Sequence, residues 1–90
     1  MHPTRAATLQ ILSDLIGFPT VSSDSNLALI DYAAEYLGKL GANVHTFRAP
    51  DGTKANLFAT IGPEVDGGIV LSGHSDVVPV TDQAWSSDPF

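Results

Sequence analysis

No cysteine occurs among the 90 residues, so the chain has neither a disulfide framework nor a thiolate metal site, and any metal must be held by His, Asp, Glu and water. Reactive-cysteine chemistry is excluded with it. Basic residues are scarce as well: four Lys and Arg stand against ten Asp and Glu, a net charge of −6 at pH 7. That balance excludes nucleic acid and anionic membrane surfaces as partners, because both are recognised through clustered positive charge. The acidity names no substrate, since a solvated acidic surface is an ordinary route to solubility. The N-terminal residues Met1, His2, Pro3, Thr4 and Arg5 lead into a segment broken by polar residues, with no apolar run long enough for a signal sequence or a membrane span. A cytoplasmic protein is expected. Repeats, low-complexity tracts and flexible linkers are missing too. What is present, 43% hydrophobic and 16% charged residues, has the proportions of a folded soluble domain, and 90 residues allow one compact unit at most.

The apolar pattern predicts an α/β protein in the order helix, helix, strand, strand, strand. Over residues 6–16, Leu9, Ile11, Leu12, Leu15 and Ile16 follow helical spacing, with Thr4 as the expected N-cap and Gly17 as the stop. Pro19 and the hydroxyl residues after it make a loop, and Ser23, Asp24 or Ser25 is expected to cap the next element. Over residues 26–40, the stripe Leu29, Ile30, Ala33, Ala34, Leu37 and Leu40 predicts a second amphipathic helix, weakened at Gly38 and closed by Gly41. Residues 44–48 and 56–61 are β-prone and flank Pro50, Asp51 and Gly52, so they are read as a hairpin. After a loop over 63–68, Ile69, Val70 and Leu71 are continuously apolar, as in a strand covered on both faces. Such a strand preceded by helices implies a layered sheet.

That third strand would deliver His74 to the place where functional groups collect in open α/β sheets, the end of a strand. Gly73 leaves room for the backbone there. Asp76, two residues on, is the candidate carboxylate for one ring nitrogen of His74, which would orient the imidazole and leave the other nitrogen for a metal. By itself the His-x-Asp pattern is weak, since a satisfied polar pair at a strand end looks the same.

The longer pattern is more specific. Ser72-Gly73-His74-Ser75-Asp76-Val77-Val78-Pro79, followed by Trp85-Ser86-Ser87-Asp88-Pro89-Phe90, resembles the first signature block of the zinc-dependent M20 metallopeptidase and deacylase family. The resemblance runs over nearly the whole chain, including Phe18-Pro19-Thr20-Val21-Ser22 and Lys54-Ala55-Asn56-Leu57-Phe58-Ala59-Thr60-Ile61-Gly62. It implies that residues 1–90 are the N-terminal segment of one mixed-sheet α/β/α catalytic domain, incomplete and with no second domain. It also implies a metal-dependent hydrolase of linear amides in amino-acid biosynthesis, acting on a small N-acyl amino acid with zinc or cobalt. His74 would be a metal ligand and Asp76 the catalytic residue that supports it. Two departures stand out: Ser75 where Thr is usual, and Thr81-Asp82 in place of the commoner Asp-Gly before Gln83.

The family further requires a metal-bridging Asp, an adjacent Glu pair that includes the general base, another acidic ligand and a distant His. The only glutamates here, Glu35 and Glu64, are not adjacent, so no residue is assigned as general base. The 90 residues alone are therefore expected to be inactive and to hold no stoichiometric metal. Two alternatives stand beside this reading. One is a sister deacylase with a different acyl amino acid substrate; the other is a catalytically idle module that self-associates through an exposed sheet edge or apolar face.

The remaining candidates take structural readings. His2 and His45 are read as surface residues, Asp51 as a turn residue, and Asp24 and Asp31 as a cap and a helix-face residue. Trp85 and Phe90 are read as core residues, with a substrate channel as the alternative, and Asp88 as a turn residue. Ser72 and Ser75 lack the Gly-x-Ser-x-Gly elbow of a serine hydrolase, and the glycine spacing at Lys54 is not that of a phosphate loop.

Overall fold

The computed structural model describes residues 3–90. Helix α1 spans Pro3–Ile16, three residues earlier than the periodicity places it. Proline fits a first helical turn because the N–H it lacks has no intrahelical partner there. Thr4 is thus inside the helix rather than its cap, and its carbonyl accepts a bond from Thr8 Oγ1 at 2.8 Å. The helix closes where Gly17 N–H donates to Ser13 O at 3.1 Å, and Pro19 prevents its continuation.

Helix α2 spans Leu27–Lys39. Its cap position is Asn26, but the Asn26 side chain makes no capping bond. It turns instead to Ala55, donating to the carbonyl and accepting from the N–H, both at 2.9 Å. Ser25 supplies the helix start, its hydroxyl accepting from Leu27 N–H at 3.2 Å. At the other end, Gly41 takes φ +87°, and the bonds Gly41 N–H to Gly38 O and Ala42 N–H to Leu37 O form a Schellman closure.

Strands β1, Asn43–Arg48, and β2, Ala55–Thr60, pair antiparallel in the register Asn43 with Thr60 through Arg48 with Ala55. The connection is fixed by Asp51, whose carboxylate accepts from Thr53 N–H at 3.0 Å and Thr53 Oγ1 at 2.8 Å. Gly52 takes φ +75° in that turn. The alternation along β2 decides which face is covered. Ala55, Leu57 and Ala59 turn toward α2, whereas Phe47 and Phe58 lie on the open face at 60% and 52% exposure. The core is small: Leu29, Ile30 and Ala55 are buried, with Leu15, Phe18, Leu27 and Leu57 packed around them. Much of the α1 stripe stays open, since Leu9, Leu12 and Ile16 are each about half exposed.

The expected third strand does not form. Ile69, Val70 and Leu71 are 90%, 79% and 93% exposed and join no ladder, so the sheet has two strands and is purely antiparallel. A short apolar run becomes a strand only when neighbours hydrogen-bond its edges and cover its faces. Here β1 and β2 pair only with each other, and neither extends its outer edge to residues 69–71. One parallel bridge, Val21 with Val77, is the only β-pairing outside the hairpin among the described residues. Trp85 also departs from the core assignment: it is 51% exposed, and its indole N–H donates to Val80 O at 3.0 Å. Phe90 is partly buried, closing a shallow cleft against Leu9, Leu12 and Ile16.

Candidate functional site

The site is built on the loop that follows α1. Thr20 is 4% exposed, and its hydroxyl donates to Ser75 O at 2.6 Å while its carbonyl accepts from Val77 N–H at 3.0 Å. Ser22 N–H returns a bond to Val77 O at 3.0 Å. These bonds dock residues 75–77 on the loop after α1, through a buried threonine. Lys54, at the foot of β2, donates through Nζ to the carbonyl of Ser22.

On that mount, His74 Nδ1 lies 2.8 Å from Asp76 Oδ1 and 3.2 Å from the Asp76 carbonyl. The other carboxylate oxygen, Oδ2, accepts from Ser22 Oγ at 2.8 Å. Hydrogen bonds from Ser22 first, and from His74 second, hold the Asp76 carboxyl below the usual carboxylate range. With Nδ1 turned to the carboxylate, Nε2 is the nitrogen left for an outside partner, and the His74 side chain is 83% exposed. Residues 73–76 form one rim of an open groove of about 920 Å³, whose floor includes Leu29, Ile30 and Leu57. Downstream, Asp82 stands at φ +60°, a left-handed conformation that aspartate tolerates better than most non-glycine residues.

The other ionisable residues lie elsewhere. His45 is exposed on the open face of the hairpin, and His2 lies outside the described residues. Glu35 pairs with Lys39 at 3.1 Å along α2, and Glu64 is exposed in the loop after β2. Asp88 accepts from Phe90 N–H at 2.9 Å in a turn. Among the described residues, no three of His, Cys, Asp and Glu gather as a metal would require. His74 with Asp76 matches one ligand and its supporting carboxylate, but not a whole metal centre. The roles of Thr20, Ser22, Asn26 and Lys54 were not assigned from sequence. The one available signal was that most of them fall in the stretches around 18–22 and 54–62 that carried the family resemblance.

No family model matches the chain, and no solved structure does. Curated relatives do. Over 91% of its length this chain is similar to acetylornithine deacetylases. The enzyme of that name from Pasteurella multocida is 40% identical over 89 residues, and that from Pectobacterium carotovorum is 39% identical over 90. The one from Buchnera aphidicola, of the Acyrthosiphon pisum subspecies, is 35% identical over 88. Each match covers 23% of the relative, so the chain spans less than a quarter of the length of the acetylornithine deacetylases it matches. Their name is that of a hydrolase. Among the described residues, no helix is long and apolar enough to cross a membrane.

Proposed function

We propose that this chain contributes a metal ligand, His74, and its supporting carboxylate, Asp76, to the catalytic domain of a metal-dependent amidohydrolase of the acetylornithine deacetylase kind. The observation that carries the reading is the 2.8 Å contact of Nδ1 with Oδ1 at the groove rim, in a chain 35% to 40% identical to enzymes of that name. Asp76 would fix the imidazole orientation and raise the basicity of Nε2. Zinc or cobalt, when bound, would polarise the amide carbonyl and lower the pKa of its water. The substrate would be N-acetylornithine and the products acetate and ornithine, in arginine biosynthesis in the cytoplasm. What favours this substrate over those of a succinyl-diaminopimelate desuccinylase or an aminoacylase is the name the relatives share. One imidazole cannot hold zinc in catalytic geometry, so the 90 residues by themselves would bind no stoichiometric metal and hydrolyse nothing.

A chimera tests this, with the chain replacing the matching segment of the Pasteurella multocida enzyme. It should hydrolyse N-acetylornithine in a chelator-sensitive way. His74→Ala should lower the rate by about 100-fold or more, and Asp76→Asn by about 10- to 100-fold. Full activity and full metal content in the His74→Ala chimera would refute the assignment. A second reading, a self-associating module with an idle motif, is favoured by the bare run Ile69, Val70 and Leu71. Light scattering that shows a monomer at high concentration would remove it.

A further inference from the structure

We propose that Ser22 is a positioning residue for the His74 and Asp76 pair, its hydroxyl holding the carboxylate oxygen that the imidazole leaves free. The functional meaning of this role rests on the deacetylase reading, but the role itself rests on geometry. His74 and Asp76 are two residues apart on a loop, with side chains 83% and 55% exposed. A pair this accessible gains little order from its own attraction, because water competes for both groups. A carboxylate bonded through one oxygen can turn about its own axis, whereas one bonded through both cannot. Ser22 Oγ supplies the second bond, to Oδ2, at 2.8 Å.

Ser22 is suited to this because its own backbone is held on both sides. Its N–H donates to Val77 O at 3.0 Å, and its carbonyl receives Lys54 Nζ. Thr20, two residues earlier and 4% exposed, ties the same loop to Ser75 and Val77. The docking of the two loops is therefore made largely by bonds that do not involve the Ser22 hydroxyl. The same hydroxyl also lies 3.2 Å from Val77 O, so its removal takes one longer contact from the bridge and leaves the backbone and Thr20 bonds in place.

The test uses the isotope-labelled 90-residue chain, without metal, at one pH above neutrality. Imidazole 15N shifts read the tautomer of His74, three-bond couplings read the Asp76 rotamer, and Val77 amide exchange reads the bridge. In Ser22→Ala, Val77 protection should stay within about twofold. Asp76 should then pass from one rotamer to an average, and the ratio of Nε2–H to Nδ1–H tautomer should rise by about two- to fivefold. Ser22→Thr keeps the hydroxyl and should restore the original values. An unchanged tautomer and rotamer in Ser22→Ala would overturn the proposal. Thr20→Val, which loosens the bridge but keeps the Ser22 hydroxyl, is the control. If Ser22→Ala loosens the bridge as well, a tautomer change no larger than that in Thr20→Val overturns the proposal equally. Because no metal is present, failure of the chimera with these shifts intact would sink the deacetylase reading and leave the positioning role standing.

Discussion

Among the described residues every buried apolar side chain lies in residues 3–60, although residues 61–90 carry an apolar run as well. Ile30 is 7% exposed and Ile69 is 90% exposed, although both stand in runs of branched residues. The difference lies in pattern and partners. Around Ile30 the helical spacing makes a face, and the inner side of the hairpin meets it. Around Ile69 no described element lies alongside to accept its edges or faces. Burial follows from a matching surface, and hydrophobicity alone does not produce it.

The comparison breaks first at the core. Ile30→Ala should cost about 2–5 kcal/mol by urea denaturation, enough to unfold a domain with so few buried residues. A loss confined to a few tenths would mean that the small core is not what holds residues 3–60 together. Next comes Asn26, whose side chain satisfies both backbone groups of Ala55, a residue 4% exposed. Asn26→Ala should cost about 1–3 kcal/mol, because those groups would be buried unpaired. Thr20→Val removes the bond to Ser75 O and should cost about 0.5–1.5 kcal/mol. Its sharper signature is regional: amide exchange at Val77 should accelerate while exchange in the hairpin stays constant. Leu71→Ser, at a position 93% exposed, should leave stability within about 0.5 kcal/mol and reduce any self-association. A large loss there would mean that the run is covered in solution.

A final effect links α1 with α2. Tyr32 Oη donates to Asp14 Oδ2 at 2.7 Å, and Phe18 packs on the Tyr32 ring at a centroid distance of 5.5 Å. The Tyr32 hydroxyl first, and the Gln10 amide second, hold the Asp14 carboxyl below its usual range. A carboxyl whose folded value lies below its unfolded one contributes at neutral pH, and the contribution fades as pH falls through the folded value. The same bond raises the Tyr32 phenol, whose contribution fades only as pH climbs through its raised value. Tyr32→Phe should therefore flatten the acid limb of a plot of urea midpoint against pH, leaving Ile30-dependent stability in place.

Legibility followed the range of the interaction. Both helices, the hairpin and the Asp51 turn were readable because spacing and turn chemistry act within a few residues. The Schellman closure at Gly41 was readable for the same reason. The start of α1 was misread and the use of Asn26 was not assigned, since each depends on competition that residue type does not resolve. Asn26 could cap α2 or pair with Ala55, and only the approach of β2 decides between them. The core reading of Trp85 failed because a large apolar ring needs packed neighbours on both faces, and Trp85 is left half exposed.

By itself the sequence determined the local elements, the absence of cysteine chemistry, and the adjacency of His74 and Asp76, since two residues apart can meet within one loop. Tertiary structure decided the rest. It left Ile69, Val70 and Leu71 without a sheet, and it brought the stretches around Ser22, Lys54 and Asp76 into one hydrogen-bonded group. No local spacing encodes a contact between residues more than fifty apart; it forms because a buried threonine and a parallel bridge dock one loop on another.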